Sequence, residues 1–349
     1  MEPDDLQLTN SSEVPHASPA TDEYSSVWRA MRSYSIVIYV VTCVLGMLGN
    51  GLVIWATGFK LKRTAYTVWL LSLAVADFTV SLLLPLTITE FALYFRWPFG
   101  WLLCKLRFGT VALCLYASIF TLVAISVDRC VSVMLPIWSR AHHGPRLAAL
   151  LSLVVWVAAA IFSAPSFVFQ QMLPQGNWTR CSTEYLVESE REALAAASSG
   201  DEDYEAVREQ AASLRYARYR AMTLTCFLGG FLLPFLIIAA SYAIIGLQLR
   251  YGRLVPSGRK PFKVIVTVVL AFLLCWAPYH IISILRLLYA REEWPPALRV
   301  VIALSYSLVY INSCVNPVLY IFMWQDFRDL LKKSLQRVNN QEESTLTNL

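Results

Sequence analysis

Seven separate stretches of this chain stay apolar for longer than a bilayer core is thick. They run near residues 36–58, 67–94, 102–134, 147–169, 219–248, 262–289 and 298–323. A helix needs about 20 such residues to cross a membrane. Barrel strands alternate over about 10 residues and cannot produce runs of this length. The pattern predicts an all-α membrane protein, a bundle of seven transmembrane helices. Only 15% of the 349 residues are charged and the mean hydropathy is +0.52, against about 25% charge in a soluble domain. Lipid is therefore the expected solvent.

Basic residues set the orientation, because short cytoplasmic loops are enriched in Lys and Arg. Lys60, Lys62 and Arg63 follow the first span, Arg140 and Arg146 the third, Arg250, Arg253, Arg259, Lys260 and Lys263 the fifth, and Arg328, Lys332, Lys333 and Arg337 the seventh. All fall on one side, assigned here to the cytosol of a multi-pass plasma-membrane protein. The net charge of +5 then reflects orientation and needs no nucleic acid. The opposite side holds the N-terminus and two glycosylation acceptors, at Asn10 and Asn177. It also holds Cys104 and Cys181, the one cysteine pair expected in an oxidising compartment, which predicts a disulfide.

The expected organisation is an extracellular tail over 1–33, the bundle over 34–324, a long second extracellular loop over about 170–217, and a cytoplasmic tail over 338–349. Between bundle and tail, residues 325–337 read as an amphipathic helix lying on the inner leaflet. In the long loop the acids Glu188, Glu190, Glu192, Asp201, Glu202, Asp203 and Glu205 cluster. They read either as a solvated face or as a catcher for a basic ligand. Tyr204 and Tyr24 stand among acids as sulfation candidates. The odd number of spans and the lack of internal repeats argue against a transporter with paired halves. No convergent catalytic set argues for an enzyme.

Polar groups inside the bilayer are costly and invite a functional reading. Asp77, Ser118, Asn312 and Asn316 form such a set; Asn50 and Ser313 accompany it. They read either as a network that ties the bundle together or as an oxygen-lined site for a sodium ion, the one cofactor expected. At the inner end of the third span, Asp128 and Arg129 adjoin an otherwise uncharged run.

The ordered motifs GN (49–50), LAVAD (73–77), DRC (128–130), Trp156, Pro234, CWAP (275–278) and NPVLY (316–320) resemble those of the rhodopsin-like G-protein-coupled receptors. The resemblance covers residues 34 to about 337. It implies that an agonist binds outside and a heterotrimeric G protein is engaged inside. It implies that Arg129 is held by Asp128 at rest and released on activation, with Tyr242, Trp276, Pro278, Asn316, Pro317 and Tyr320 taking part. PSGRKPFK, ahead of the sixth span, offers no acid to restrain Arg129.

Within the family, DRCVSVMLPIWS, KPFKVIVTV, WPFGW and FMWQDFR resemble the chemoattractant receptors, most nearly those for chemerin and formyl peptides. That branch implies Gi/Go coupling, chemotaxis and inflammatory signalling, and a protein, peptide or lipid ligand. Anaphylatoxins and a non-signalling scavenger role are the alternatives. Arrestin is a further implied partner, through Ser344, Thr345 and Thr347. The ligand pocket is expected to be lined by Glu90 from the second span and Arg107, Val111 and Leu115 from the third. The sixth would add Tyr279, His280, Ser283 and Arg286, and the seventh Ile302 and Tyr306. Val111 replaces the aspartate of amine receptors, and the seventh span has no lysine for a retinal Schiff base. The branch's usual arginines in the fourth and fifth spans appear here as Gln170 and Cys226.

Overall fold

The computed structural model describes residues 19–197, 202–250, 259–289, 296–323 and 329. Seven helices in it are long and apolar enough to span a membrane. The spans are α1 (Pro19–Trp55, ending in a π-turn Ala56–Lys60), α2 (Ala65–Ala92), α3 (Gly100–Met134), and, after the short α4 (Pro136–His142), α5 (Pro145–Phe169). A hairpin of β1 (Gln170–Gln175) and β2 (Trp178–Thr183) and a short α6 (Glu188–Ala196) follow. The fifth span is one continuous rod of α7 (Glu202–Phe227), a π-turn (Leu228–Leu232) and α8 (Leu233–Arg250). The sixth and seventh are α9 (Arg259–Leu288) and α10 (Pro296–Met323). The expected surface helix at 325–337, the sequon at Asn10, and the side chains of Tyr24 and Tyr320 lie outside the described residues.

Two boundaries differ from the sequence expectation. Helix α1 begins at Pro19, well inside the expected tail, with proline at a first position where its missing N–H costs nothing. The fifth span begins at Glu202, inside the expected loop. Its span, Tyr204–Gln248, has 45 residues, so it is roughly 67 Å long and far exceeds a hydrocarbon core of about 30 Å. Residues 202–218 are too polar for lipid, yet they hold no Gly or Pro and are rich in Ala, Glu and Arg, strong helix formers. The acids in this region are partly consumed by the fold. Glu190 takes a forked pair of bonds from Arg218 (2.6 and 2.8 Å), Glu184 takes another from Arg215 (2.9 and 3.1 Å), and Glu205 pairs with Arg208.

Inside the bundle, polar side chains join the spans. Asn50 donates to the Gly46 and Ser313 carbonyls, Trp156 Nε1 donates to Ser72 Oγ at 3.0 Å, and Ser72 meets Thr121. Close approaches depend on missing side chains. A Cβ on Gly49 would lie 2.7 Å from Pro317, and one on Gly229 would lie 2.5 Å from the Phe162 ring. Apolar side chains such as Val154, Ile161 and Leu274 face outward, as a lipid-exposed surface requires.

Overpacking a tight contact costs about 1–3 kcal/mol. Gly49→Val is therefore expected to lower the thermal midpoint of the purified protein by several degrees. Gly58→Ala, with nothing within 4 Å of the added atom, should leave it nearly unchanged. Differential scanning fluorimetry in detergent checks both; equal midpoints would refute the close α1–α10 contact.

Candidate functional site

At one end of the bundle the hairpin lies over the helices. Gly176, at φ +60°, makes the two-residue turn with Asn177, which stands exposed at its tip. Cys181 of β2 is disulfide-bonded to Cys104 in the first turns of α3, as the sequence predicts. Trp97, 3% exposed, packs with this bridge, and its backbone N–H donates to the Thr179 carbonyl at 2.8 Å. The hairpin is thus fixed at both the disulfide and the α2–α3 loop.

Beneath it lies a cavity of about 490 Å³. The structure places all ten expected pocket residues in its wall: Glu90 on α2, Arg107, Val111 and Leu115 on α3, Tyr279, His280, Ser283 and Arg286 on α9, and Ile302 and Tyr306 on α10. Gln170 and Cys226 line it too. Gln170 serves the hairpin, donating to Cys181 Sγ and accepting from Thr183. Glu90 and Arg107 are both buried and paired with each other, and the guanidinium lies 4.5 Å from the Trp97 ring and 4.2 Å from the Phe108 ring. His280 is 2% exposed and stacks on Phe231 at 4.7 Å. Below it Trp276 stacks on Phe272 at 5.5 Å, giving an aromatic column toward the bundle centre.

The cavity also takes residues the sequence reasoning missed. Trp28 and Met31 reach it because α1 starts early, Tyr185 and Arg180 because the loop is a pinned hairpin, and Tyr219 because α7 extends outward. Proximity in sequence to Cys181 was a usable signal for Arg180 and Tyr185. Trp28 had none, since it lies outside the first apolar run.

Asp77, at the bundle centre and 1% exposed, accepts from Asn316 Nδ2 at 2.7 Å and from Ser118 Oγ at 3.4 Å. Close by, Asn50 Oδ1, Asn312 Oδ1 and Ser313 Oγ are buried without a hydrogen-bond partner. This is an unusual surplus of oxygen acceptors for a bilayer-depth site.

At the opposite end the geometry corrects one expectation. Asp128 is paired with His143 (3.1 Å) and not with Arg129. Helix α4 turns the chain back so that Ser132 meets both Ser139 (3.0 Å) and His143 (3.4 Å), which delivers the imidazole to Asp128. Arg129 instead lies over the Tyr66 ring at 5.2 Å, with its Nε buried and unbonded, and Tyr242 within electrostatic reach. Pro278 and Pro317 lie within α9 and α10.

The family model described as "7 transmembrane receptor (rhodopsin family)" matches residues 49–199 and 207–320. The chain belongs to the rhodopsin-like family of G-protein-coupled receptors. It is 39% identical to chemerin-like receptor 1 of Sus scrofa over 322 residues, 92% of this chain and 85% of that protein. It is 35% identical to the C3a anaphylatoxin chemotactic receptor of Oncorhynchus mykiss (96% and 82% covered) and 34% identical to formyl peptide receptor 2 of Mus musculus (89% and 85%). This receptor therefore falls in the chemoattractant branch. It is a multi-pass membrane protein whose family implies a ligand on one face and a G protein on the other.

Outside the membrane, the Arg218 bonds hold the Glu190 carboxyl below its ordinary value of 4.5, helped by the Val187 N–H. A depressed native value stabilises the charged form. The tie between α6 and α7 is thus complete above pH 4.5 and fades as pH falls from there through the lower native value. Limited proteolysis between α6 and α7 is expected to accelerate over that window. Arg218→Gln should be cleaved faster at neutral pH and show little further change; an unchanged pH profile in that variant would refute the tie.

Proposed function

We propose that the protein is a plasma-membrane receptor, not an enzyme, with its N-terminus outside, for a chemerin-like protein or peptide, and that it signals through Gi/Go-type G proteins. The observation that carries this reading is the cavity of about 490 Å³ under the hairpin. Its floor is the stacked Trp276–Phe272 pair on α9, and the two ends of α3 hold Arg107 and Arg129. A ligand that displaces the floor favours one arrangement of α9 over another, and differential affinity for the two arrangements is what shifts the population. Arg129, unpaired with a carboxylate and adjacent to Tyr242, is the group that would turn toward the G protein, with Tyr320 joining from α10. The relatives named for chemerin support a chemerin-like ligand. Those named for C3a and formyl peptides, at 34–35% identity, support an anaphylatoxin, a formyl peptide or a lipid mediator as the second reading.

The surplus acceptors beside Asp77 fit a sodium ion, a hard cation that takes oxygen ligands. Asp77, Ser118, Asn312 and Asn316 would hold it. Asn177, exposed at the hairpin tip, is the glycosylation site of this reading, and Tyr204 remains its sulfation candidate. Arrestin would read the phosphorylated tail.

The test is agonist-driven nucleotide exchange on purified Gi, using chemerin carboxyl-terminal peptide, C3a, formyl peptide and lipid acids in parallel. One ligand is expected to drive exchange, and Arg129→Ala to abolish it with surface expression and binding retained. Binding and uptake without exchange would replace the reading with a scavenger. For the ion, sodium chloride is expected to raise the thermal midpoint of the ligand-free protein above that in potassium chloride, and Asp77→Asn to erase the difference. Equal midpoints in both salts would exclude the site.

A further inference from the structure

On its α1 side the cavity is closed by a helix face whose outer part lies ahead of the first apolar run. Trp28, Met31, Ser35 and Tyr39 all line the cavity. Their spacing of three and four residues puts them on one face of α1, and from Trp28 to Tyr39 that face runs roughly 16 Å. Its inner part is packed into the bundle. Ser35 and Tyr39 are buried, and the Tyr39 ring meets those of Phe91 and Tyr310 at 5.4 and 5.0 Å. Its outer part is tied to the end of α2 by Arg32.

The last carbonyls of a helix have no further turn to receive. Arg32 Nη1 donates to two of them on α2, Phe91 O at 3.3 Å and Ala92 O at 3.2 Å, and Nη2 donates to the Tyr94 hydroxyl at 3.1 Å. The guanidinium lies 3.8 Å from the centre of the Tyr94 ring. A cation is favoured at this negative end of the helix dipole. The backbone beyond it is strained: Tyr94 and Phe95 take φ of +54° and +64°, a region that residues other than glycine enter at a cost. Such strain persists only where surrounding contacts hold it, and Arg32 supplies contacts of that kind from another helix. The corner sets the placement of Phe95, whose ring lies 4.9 Å from that of Phe91; both line the cavity.

We propose that Arg32 is a positioning residue for the cavity: it latches the outer turns of α1 to the left-handed corner after α2, and so holds Trp28, Met31 and Phe95 together as a wall that limits access. The guanidinium acts from behind this wall, since Arg32 is not among the described residues that line the cavity. The inference rests on the reading of the cavity as the ligand site and adds the residue that regulates entry to it.

The chain carries its own reporter of access. Cys226 is a free thiol on the cavity wall. Of the other free cysteines, Cys43, Cys114, Cys275 and Cys314 are buried, and Cys130 lies at the opposite end of α3. Cells displaying the full-length protein are treated with 2-sulfonatoethyl methanethiosulfonate, an anion that does not cross bilayers. Cys226 labelling is read as the rate lost in Cys226→Ala, and the thermal midpoint of each variant is measured in parallel. Arg32→Gln is expected to label about tenfold faster, the size of change that a lost charge-assisted hydrogen bond gives. Arg32→Lys keeps the charge but not the planar fork, and should label faster by a few fold. Arg208→Gln, which breaks an exposed pair on α7, should label like the wild type. Tyr94→Gly separates the latch from the fold. Glycine takes the left-handed corner without strain, so the midpoint should hold or rise while labelling still accelerates. This variant keeps the test decisive if Arg32→Gln does not fold.

An unchanged labelling rate in Arg32→Gln would overturn the proposal. So would an equal acceleration in Arg208→Gln, or acceleration confined to variants whose midpoint falls. Nucleotide exchange on Gi reports the receptor reading separately. Exchange with labelling indifferent to Arg32 sinks only the latch, and labelling governed by Arg32 without exchange sinks only the signalling reading.

Discussion

A bilayer core offers no hydrogen-bond partner, so every polar group carried into it must find one in the protein. In this chain the requirement is met by a single inward-facing seam. Asn50 bonds across from α1 to the Ser313 carbonyl of α10, Asp77 on α2 gathers Asn316 and Ser118, and Ser72 receives the Trp156 indole. These bonds fix the mutual placement of α1, α2, α3, α5 and α10. The cavity above and Arg129 below are built on α2, α3 and α10 as well, so the seam sets the geometry of both. Within this seam Asn50 Oδ1, Asn312 Oδ1 and Ser313 Oγ remain as acceptors without a partner.

Outside the membrane the rules invert. The rod of α7 leaves the bilayer as an ordinary water-soluble helix, braced by arginine–carboxylate pairs to α6 and to Glu184. These half-buried pairs aim the rod, and the rod brings Arg218 and Tyr219 to the cavity wall. The pinned hairpin does the same for Arg180 and Tyr185. Arg180 and Arg218 are thus brought to the cavity wall by segments whose sequences look like loop.

That division explains what was legible. Apolar length alone revealed the seven spans, because the bilayer imposes one requirement on every residue of a span. The ten expected wall residues lie on spans, where helical periodicity fixes the inward face. Residues 202–218 fall within the expected loop because hydropathy is silent where a helix stands in water; the Ala- and Glu-rich stretch 188–210 carries a partial helical signal, and the structure extends it into α6 and α7. Trp28 was missed for the same reason. The Asp128–His143 pair needed the path of α4, which no local pattern specifies. Long-range pairing of short polar segments is set by tertiary contact and leaves little trace in sequence.

The arrangement at Arg129 has an energetic consequence. An arginine paired to a buried carboxylate must leave that charge uncompensated when it moves, at a cost of about 3–5 kcal/mol. Here the carboxylate has its own partner in His143, and Arg129 rests on the face of Tyr66. A cation–π contact of this kind holds about 0.5–2 kcal/mol. On the proposed reading, moving Arg129 leaves the Asp128–His143 contact in place and forfeits the Tyr66 contact together with its through-space attraction to Asp128. The restraint on the switch is shared between α4, which occupies the acid, and α2, which occupies the base, and the two can be released separately.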